Sequence, residues 1–591
     1  MKKFIKVFLL VAALAAVLAM SACGGNDDPA PAPAPVVTPP PAPVATPPPG
    51  GEVDAEVEAG DPRLEQHGLD ENLRFINPVT ISTVVWDRGH ERMPDMDDNE
   101  WTRWMQAQLL EDHNIILEFH IVPRWDQGPI TTTLIGAGSA PDVTFHFGGA
   151  ALTNTFAEMG ALMDLNPLIS QYGDWLPNMH GWLRELVTYN TNPNTGANFA
   201  FSSRRVEAQQ MRQNVFIRED WLNELGMAPP NTLAEFETAL RAFRDNAELL
   251  LGADAGMMIP MLLDGDVGWA TGALIESFIP DNITEREWFR YGFDDRRIMH
   301  PTTKEAMRIV NGWFNEGLMF QEFAYGEAGT LMADFVRLGV VGAQIANWDM
   351  PFRAGGDQQI VTMRENRGPQ ANFIPITPFP NDAGNRVMFA FSPSDRHIVL
   401  PTTNRNPVAS LLYIDWLSRQ STRDFLAFGI EGVHHVVEPS GAKRVLPAAD
   451  MPDNFIFAAV NNFDINPVTN GFDFGDLDQT VQTLALAYAG IEPEAILAAR
   501  DTAMGAARVW RTVVVRPIAA QEGMTTPLNE FRDEVLTNSV VAPPDQFDAV
   551  WDTLIAQYMA MGGQAIINER DQAWVETFGN VDFMPGWEGW N

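Results

Sequence analysis

One stretch of the sequence has the residue types and part of the spacing of a calcium-binding loop. The segment "DMDDNE" places Asp95, Asp97 and Asn99 at alternate positions, as such a loop does. The glycine expected at its sixth position is Glu100, and the acidic residue expected at its twelfth is Gln106. Without that turn and that bidentate ligand, we expect the segment to cap the helix that follows it.

The sequence signatures of common catalytic sites are missing. The sequence contains no HExxH zinc motif, no GxSxG nucleophile elbow and no Walker A loop. The segment "GAGSAP" at 136–141 lacks the third glycine of a dinucleotide fingerprint and precedes a predicted strand. His434 and His435 have no further ligand at metal-binding spacing, so we expect both to be structural. The sequence therefore predicts no metal, no cofactor and no catalysis, although its carboxylates are too numerous to exclude a glycosidase pair.

Cys23 is the one cysteine in 591 residues, and it lies where an acyl chain could be attached. A basic start and an apolar run at 7–20 have the form of a signal peptide and are too short to predict a transmembrane helix. The following "MSAC" resembles a bacterial lipobox, with Met20 where leucine is usual. The resemblance implies cleavage after residue 22 and a lipidated Cys23 at the mature N-terminus. The alternative is an ordinary secretory signal with a buried or free thiol.

Residues 23–60 are rich in proline that alternates with alanine, and a segment with proline at this density cannot sustain a helix or bury a core. We expect an extended, disordered tether that rises about 3 Å per residue and holds a folded part away from a membrane. The whole chain has 77 acidic and 39 basic residues, for a net charge of −38. This charge argues against nucleic acid as a partner and against attachment to anionic lipid through basic patches.

The start of the folded part alternates strands and helices. Strands are predicted at 77–87 and 114–122 and at a third segment that ends near Phe147, with amphipathic helices between them. The strand–helix–strand order is typical of a parallel sheet in an α/β protein. Because 114–122 is apolar at nearly every position, we expect that strand to be covered on both faces.

The middle of the chain is predicted to be rich in helices with marked beginnings. Thr232 with Glu235, and Thr302 with Glu305, have the spacing of capping boxes. Asn406 followed by proline indicates another helix start.

Five segments, in order along about 75–575, resemble one family. They are "SAPDVTFHF", "NVFIREDWLNELGMAPPNTLAEFETALRAFRD", "NGWFNEGLMFQEF", "VGAQIANWD" and "LLYIDWLSRQSTRDFLAFGIEGVHHVV". Each segment alone is weakly specific. Their shared order behind a lipobox and a proline-rich tether is strongly specific. Together they resemble the extracellular solute-binding lipoproteins of ABC importers, family 1, of the large oligosaccharide-binding, maltose-binding-protein-like type.

The resemblance implies an α/β, two-lobed periplasmic-binding-protein fold of type II, with a hinge and an interlobe cleft. Lobe one would hold 61–200 and 390–440, and lobe two would hold 201–389 and 441–591. It also implies a monomer, lipid-anchored on the extracytoplasmic face of the cell membrane, that passes a sugar or oligosaccharide to the transmembrane subunits of an ABC permease. The alternatives are an extracellular glycoside-active enzyme and a lipoprotein for peptide binding or surface assembly.

A sugar presents apolar C–H faces and many hydroxyl groups, so its site needs flat aromatic rings, carboxylates, amides and arginines. In α/β proteins such ligands bind beyond the carboxyl ends of strands. We therefore expect ligand contacts from side chains that follow strands, at the hinge and in glycine-rich loops: Trp86, Asp87, His146, Phe147, Arg204, Arg205, Trp269, Trp348, Asp349 and Glu431. Alternatively, the tryptophans belong to cores, Asp87 and Asp349 cap helices, the two arginines are solvated, and Glu431 serves packing.

The lipobox leads to a testable prediction. Cys23→Ser removes the thiol that would carry the lipid, so this variant should remain an uncleaved or released precursor without acyl groups. Detergent partitioning and the mass of the N-terminal peptide measure this outcome. A wild-type mature chain that begins at another residue and has no acyl mass would contradict the prediction.

Overall fold

A computed structural model describes residue 57 and most of residues 60–582. The exceptions are 88–94, 180–189, 193–194, 206–209, 264–266, 281, 293–296, 325–329, 354–358, 377–378, 381–387, 392–393, 448–449, 452–463, 470, 472–473, 475, 506 and 509–515. The predicted signal peptide, Cys23 and nearly all of the tether lie outside the described residues. Within the described part, no helix has the length and apolar character needed to cross a membrane.

The first third of the chain folds around one hydrophobic core. Most of the buried apolar side chains between Leu64 and Phe201 belong to it, while Ile135, Phe156 and Leu162 form a smaller cluster with Val399. Its elements are α1 (Pro62–His67), β1 (Val79–Asp87), α2 (Glu100–His113), β2 (Ile115–Pro123), α3 (Gln127–Gly136), β3 (Thr144–His146), α4 (Gly149–Glu158), α5 (Leu165–Tyr172) and β4 (Phe201–Arg204).

The next segment builds a second core. Buried side chains between Met211 and Phe379 belong to it. Its elements are β5 (Gln213–Arg218), α6 (Glu219–Glu224), α7 (Leu233–Asp245), α8 (Ala247–Leu251), β6 (Ile259–Leu262), α9 (Val267–Ala270), α10 (Gly272–Ser277), α11 (Glu285–Tyr291), α12 (Thr303–Glu316), α13 (Thr330–Arg337), β7 (Val341–Asn347), α14 (Gln359–Arg367) and β8 (Phe373–Ile376).

The remainder of the chain returns to the first core and then to the second. The elements are β9 (Met388–Phe389), β10 (Ser394–Val399), α15 (Pro407–Ser418), α16 (Gln420–Phe428), β11 (His435–Val437), β12 (Lys443–Val445), α17 (Leu477–Leu486), α18 (Pro493–Gly505), β13 (Ala507–Arg508), α19 (Thr525–Val541), α20 (Phe547–Tyr558) and α21 (Gln564–Phe578). β10 and α15 pack in the first core together with Ile465 and Val468, whereas α17 to α20 pack in the second. We call the two cores with their elements the first and second lobes. This two-lobed α/β architecture confirms the predicted fold class.

In the first lobe, one edge of the sheet collects several strand ends. β1 and β2 run parallel, and Thr83 of β1 bridges Val143, just before β3, in parallel. β10 lies antiparallel between β3 and β4, so it begins where they end. Because β10 lies between β3 and β4, this part of the sheet is antiparallel, whereas a parallel sheet was predicted.

The second lobe has a sheet in the order β6-β7-β5-β8, which is also mixed. β6 and β7 are parallel, while β5 runs against both β7 and β8. Gln213 at the start of β5 lies opposite Asn347 at the end of β7. β5 therefore begins at the edge where its neighbours end.

Two helix starts follow the predicted capping chemistry. The Asn99 side chain accepts from the Thr102 backbone N–H at 3.1 Å, and the Thr102 hydroxyl binds the Asn99 N–H at 3.0 Å, completing a capping box. The Thr232 hydroxyl accepts from the Glu235 N–H at 3.2 Å, but the Glu235 carboxylate accepts from the Asn231 N–H at 2.7 Å, so only one half of this predicted capping box forms. The acidic segment around Asn99 therefore begins α2, as expected.

Two other helix starts differ from the prediction. Thr302 makes no side-chain capping bond to α12, because its hydroxyl lies 2.6 Å from Nδ1 of the buried His300. Asn406 occupies the N-cap position of α15 but also makes no side-chain capping bond. The expectation that β2 is covered on both faces was wrong as well, since Ile116 and Ile121 are 42% and 38% exposed. In the described residues β2 pairs only with β1, so it lies at an edge.

Candidate functional site

Three stretches that connect the cores lie side by side. The Arg204 backbone N–H donates to the Val468 carbonyl at 3.1 Å, and Arg204 also pairs with Ser394 at the start of β10. The Phe391 N–H donates to the Gln210 carbonyl at 2.8 Å. The chain leaves the first lobe at the end of β4 and enters the second at the start of β5. The strand-end edges of both lobes therefore adjoin these crossings.

At the first-lobe edge, Trp86 supports its neighbours instead of presenting a face. Its ring centroid lies 4.3 Å from that of Phe145 and 4.8 Å from that of Phe147, and the residue has no exposed surface. Phe147 and Asp87, which follow β3 and end β1, are half-buried. At this edge, Phe147 and Asp87 therefore offer surface that a ligand could contact.

Sequence reasoning missed an arginine beside this aromatic pair. Arg124 opens a short 3-10 helix after β2, and its guanidinium carbon lies 4.4 Å from the Phe147 ring centre and 4.9 Å from that of Trp86. Asp464 pairs with Arg124 at 3.6 Å and with the buried Arg396 at 3.4 Å. Arg124 follows the predicted second strand within two residues, so the search for polar groups after strands could have found it.

His146 is buried in a hydrogen-bonded network inside the first lobe. The Gly148 N–H donates to His146 Nδ1 at 3.1 Å, so in the neutral ring Nε2 carries the hydrogen and faces the Thr153 hydroxyl at 3.4 Å. That hydroxyl donates to the Gly149 carbonyl and lies 2.9 Å from His397 Nδ1. Burial lowers the pKa of His146 well below its ordinary value, with a smaller effect of the nearby His397.

The two arginines at the hinge are not solvated charges. Arg205 donates to Asp395 at 2.9 Å, and its guanidinium carbon lies 4.2 Å from the Phe391 ring centre. Both members of this ion pair are nearly buried. Because Arg205 and Phe391 belong to different crossings, this contact joins the crossings to each other. Arg204 is half-buried at the end of β4 and bonds to the neighbouring crossings through its backbone.

At the second-lobe edge, Trp269 is half-buried in α9 and lies against Arg212. The guanidinium carbon of Arg212 is 5.0 Å from the ring centre, and its Nη1 donates to the buried Glu276 at 2.8 Å. Gln213 Nε2 donates to the Trp269 carbonyl at 2.7 Å. The Trp348 N–H donates to the Arg212 carbonyl at 3.1 Å, which brings two of the predicted tryptophans to one place.

Trp348 and Asp349 belong largely to the second core. The Trp348 ring lies edge-on to Tyr488 at 6.1 Å and the residue is 9% exposed. Asp349 is buried, accepts from the Tyr488 hydroxyl at 2.7 Å and pairs with Arg353 at 2.5 Å. Burial, and next the neighbouring carboxylate, raise the pKa of Tyr488 well above its ordinary value. Asp349 makes no side-chain cap, so its carboxylate serves this internal cluster.

Glu431 lies exposed in the turn between α16 and β11. Its described backbone bridge is to His435. His434 Nδ1 accepts from the Ile430 N–H at 2.7 Å, and His435 Nδ1 lies 3.0 Å from the Phe428 carbonyl. Both histidines are buried, and each ring lies against the backbone of its own turn. Among the described residues, no group of three or more metal-ligating side chains is arranged to hold a metal ion.

No protein-family model and no curated protein matches this sequence. Solved structures do match. The alignment with alginate-binding protein AlgQ2, solved without calcium ion, has 17% identity, a TM-score of 0.60, and covers 84% of this chain and 98% of that one. An HMO-binding, ABC-transporter-associated solute-binding protein from Bifidobacterium longum infantis has 16% identity, a TM-score of 0.58, and coverage of 85% and 100%.

A third match is the Streptococcus pneumoniae ABC-transporter substrate-binding protein FusA, an EF-hand mutant in complex with fructo-nystose. Its identity is 13%, its TM-score is 0.59, and the alignment covers 85% of this chain and all of that one. At these identities the likeness establishes the fold. This chain has the two-lobed fold of ABC-transporter solute-binding proteins. Which of the predicted residues contact a ligand stays a prediction.

The buried histidine network leads to a prediction on pH. Burial lowers the pKa of His397 to about 4, against 6.5 for the free side chain. The unfolded chain therefore binds a proton between pH 6.5 and about 4 that the folded chain excludes, so stability falls as pH falls through this window. At pH 4 this one group costs about 3 kcal/mol, and His146 adds in the same direction.

We expect His397→Gln to flatten the dependence of unfolding free energy on pH between 7 and 4. Urea unfolding at several pH values measures the slope independently of any general loss of stability. His120→Gln, at an exposed position of β2, serves as the control for the loss of an imidazole as such. An unchanged slope in His397→Gln would show that this imidazole is protonated in the folded protein.

Proposed function

We propose that this chain is the substrate-binding component of an ABC importer, which captures a sugar or oligosaccharide between its lobes and delivers it to permease subunits. The observation that carries the proposal is the fold, matched over 84–85% of the chain by proteins described as alginate-binding, as HMO-binding and as bound to fructo-nystose. The adjoining strand-end edges supply the aromatic rings and hydrogen-bonding groups that such a ligand needs.

The proposed ligand contacts divide by exposure. Phe147, Asp87 and Trp269 are half-buried at the two edges, so they are the side chains we propose to touch the sugar. Trp86 is buried against Phe147 and holds that ring in place, whereas Asp349 is buried in the second core with Tyr488 and Arg353. A side chain that rigid packing already holds in place loses little conformational entropy when a ligand binds to it.

We also propose that the mature chain is anchored through a lipid on Cys23 and carried on the proline-rich tether outside the cytoplasmic membrane. The lipobox and the composition of residues 23–60 support this part of the proposal. A tether of this composition would let a monomer reach a permease in the same membrane while its lobes stay free to move.

Binding without hydrolysis fits three of the described carboxylates near the crossings. A glycosidase places two carboxyl groups on either side of the bond that it cleaves and keeps one of them protonated. Asp395, Asp464 and Glu276 are instead engaged with arginines at 2.8 to 3.6 Å. These carboxylates neutralise and orient guanidinium groups.

A thermal-shift screen tests the proposed function. We expect one neutral oligosaccharide in a panel of sugars and peptides to raise the melting temperature, because a ligand at about 100 times its Kd stabilises the folded state by about 2.7 kcal/mol. Chromatography of the same mixture should show the sugar intact. Stabilisation by peptides alone, or release of new reducing ends, would contradict the proposal.

A further inference from the structure

We propose that Trp269, Arg212 and Gln213 form a subsite in the second lobe that binds one ring of an uncharged sugar. The ring stacks on Trp269, while its hydroxyl groups accept from Arg212 Nε and donate to Gln213 Oε1. This proposal rests on the proposed function and specifies the chemistry of its ligand. The proposal adds Arg212, which directly precedes β5, and Gln213, which begins it. A search limited to the ends of strands does not include these two positions.

The first observation is a donor without an acceptor. The Arg212 side chain is 10% exposed, and its Nη1 is held by Glu276 at 2.8 Å. Its Nε–H is fully covered and has no hydrogen-bond partner among the described residues. Leaving a covered donor unpaired costs about 1–3 kcal/mol, so such a group is retained where a ligand or water completes it.

The second observation is an acceptor without a donor on the next residue. Gln213 is 2% exposed, and its Nε2 donates to the Trp269 carbonyl at 2.7 Å. That bond fixes the orientation of the amide, since only the nitrogen can donate to a carbonyl. The opposite atom, Oε1, is covered and has no hydrogen-bond partner within the part of the chain that the structure describes. A donor and an acceptor are thus both unpaired beside the same aromatic residue.

This combination selects a hydroxyl group over a carboxylate. A hydroxyl both accepts and donates, so hydroxyl groups on one sugar ring can satisfy Arg212 Nε and Gln213 Oε1. An ionised carboxylate only accepts, so it would leave Gln213 Oε1 unpaired. Glu276 already neutralises the guanidinium, and the chain as a whole carries −38, so the subsite has no net positive charge to attract an anion.

Trp269 supplies the apolar side of the subsite. Arg212 braces one side of its ring at 5.0 Å, and the residue keeps part of its surface exposed. A braced indole suits the C–H face of a sugar. Because both unpaired atoms are covered, a ligand reaches them only when the surrounding chain moves. Arg212 lies two residues after Gln210, whose carbonyl accepts from the Phe391 N–H of a neighbouring crossing, so movement at the crossings would carry this part of the chain with it.

The test is calorimetry with the full mature chain and defined probes: kestose, maltotriose and other neutral oligosaccharides, and an alginate oligosaccharide. Arg212→Lys keeps a cation beside Glu276 but removes Nε. Gln213→Met keeps the volume but removes the acceptor. We expect each variant to lower affinity for the best neutral probe by about tenfold or more, with a melting temperature near that of the wild type.

Arg308→Lys is the matched control, because Arg308 also stacks on an aromatic ring, Phe547 at 4.8 Å, and pairs with a carboxylate at 2.7 Å. It pairs with the exposed Asp548 at the start of α20, away from the proposed contacts, and should bind like the wild type. If Arg212→Lys loses its fold, Gln213→Met carries the test.

Three other results would each overturn a different part of the proposal. Wild-type affinity in folded Arg212→Lys and Gln213→Met overturns the subsite and leaves the proposed function standing. Preference of the wild type for the alginate oligosaccharide overturns the uncharged ligand. Failure of the wild type to bind any sugar in the panel overturns the proposed function itself.

Discussion

The arrangement of the site depends on one constraint: the chain crosses between its cores through strands that are bonded to one another. Arg204 at the end of β4 is hydrogen-bonded to Val468 and paired with Ser394, so three crossings lie together. Since β4 ends and β5 begins at this place, the strand-end edges of both sheets are brought to the same side. Relative motion of the lobes is then confined to a few backbone torsions in these crossings.

Around the crossings, arginines repeatedly stack on an aromatic ring and pair with a nearly buried carboxylate. Arg124, Arg205 and Arg212 do this in the first lobe, at the hinge and in the second lobe, respectively. The ring fixes the plane of the guanidinium, and the carboxylate cancels its charge while leaving N–H groups along the edge. Such a surface is rigid, polar and close to neutral inside a strongly acidic chain, which is the environment that suits an uncharged polyol.

The sequence sufficed to predict the fold and to identify residues that lie at the strand-end edges, but not how deeply each side chain is buried. The alternation of strands and helices and the family-like segments are local patterns, so they can be recognised in the sequence alone. Whether a tryptophan is buried depends on what packs above it: Trp86 is covered by Phe145 and Phe147, contributed by a distant strand. Arg212 and Gln213 were missed for a different reason. β5 is antiparallel to its neighbours, so its first residues, and not its last, lie at the site edge.

Small-angle X-ray scattering with and without the oligosaccharide that stabilises the protein tests the central claim most directly. A ligand held between two lobes gains contacts to both only when they approach, so binding must favour a more compact state. The account predicts a smaller radius of gyration at saturating ligand, reversed when the ligand is dialysed away. An unchanged radius of gyration with calorimetrically confirmed saturation would contradict it, because the ligand would then bind to one lobe alone.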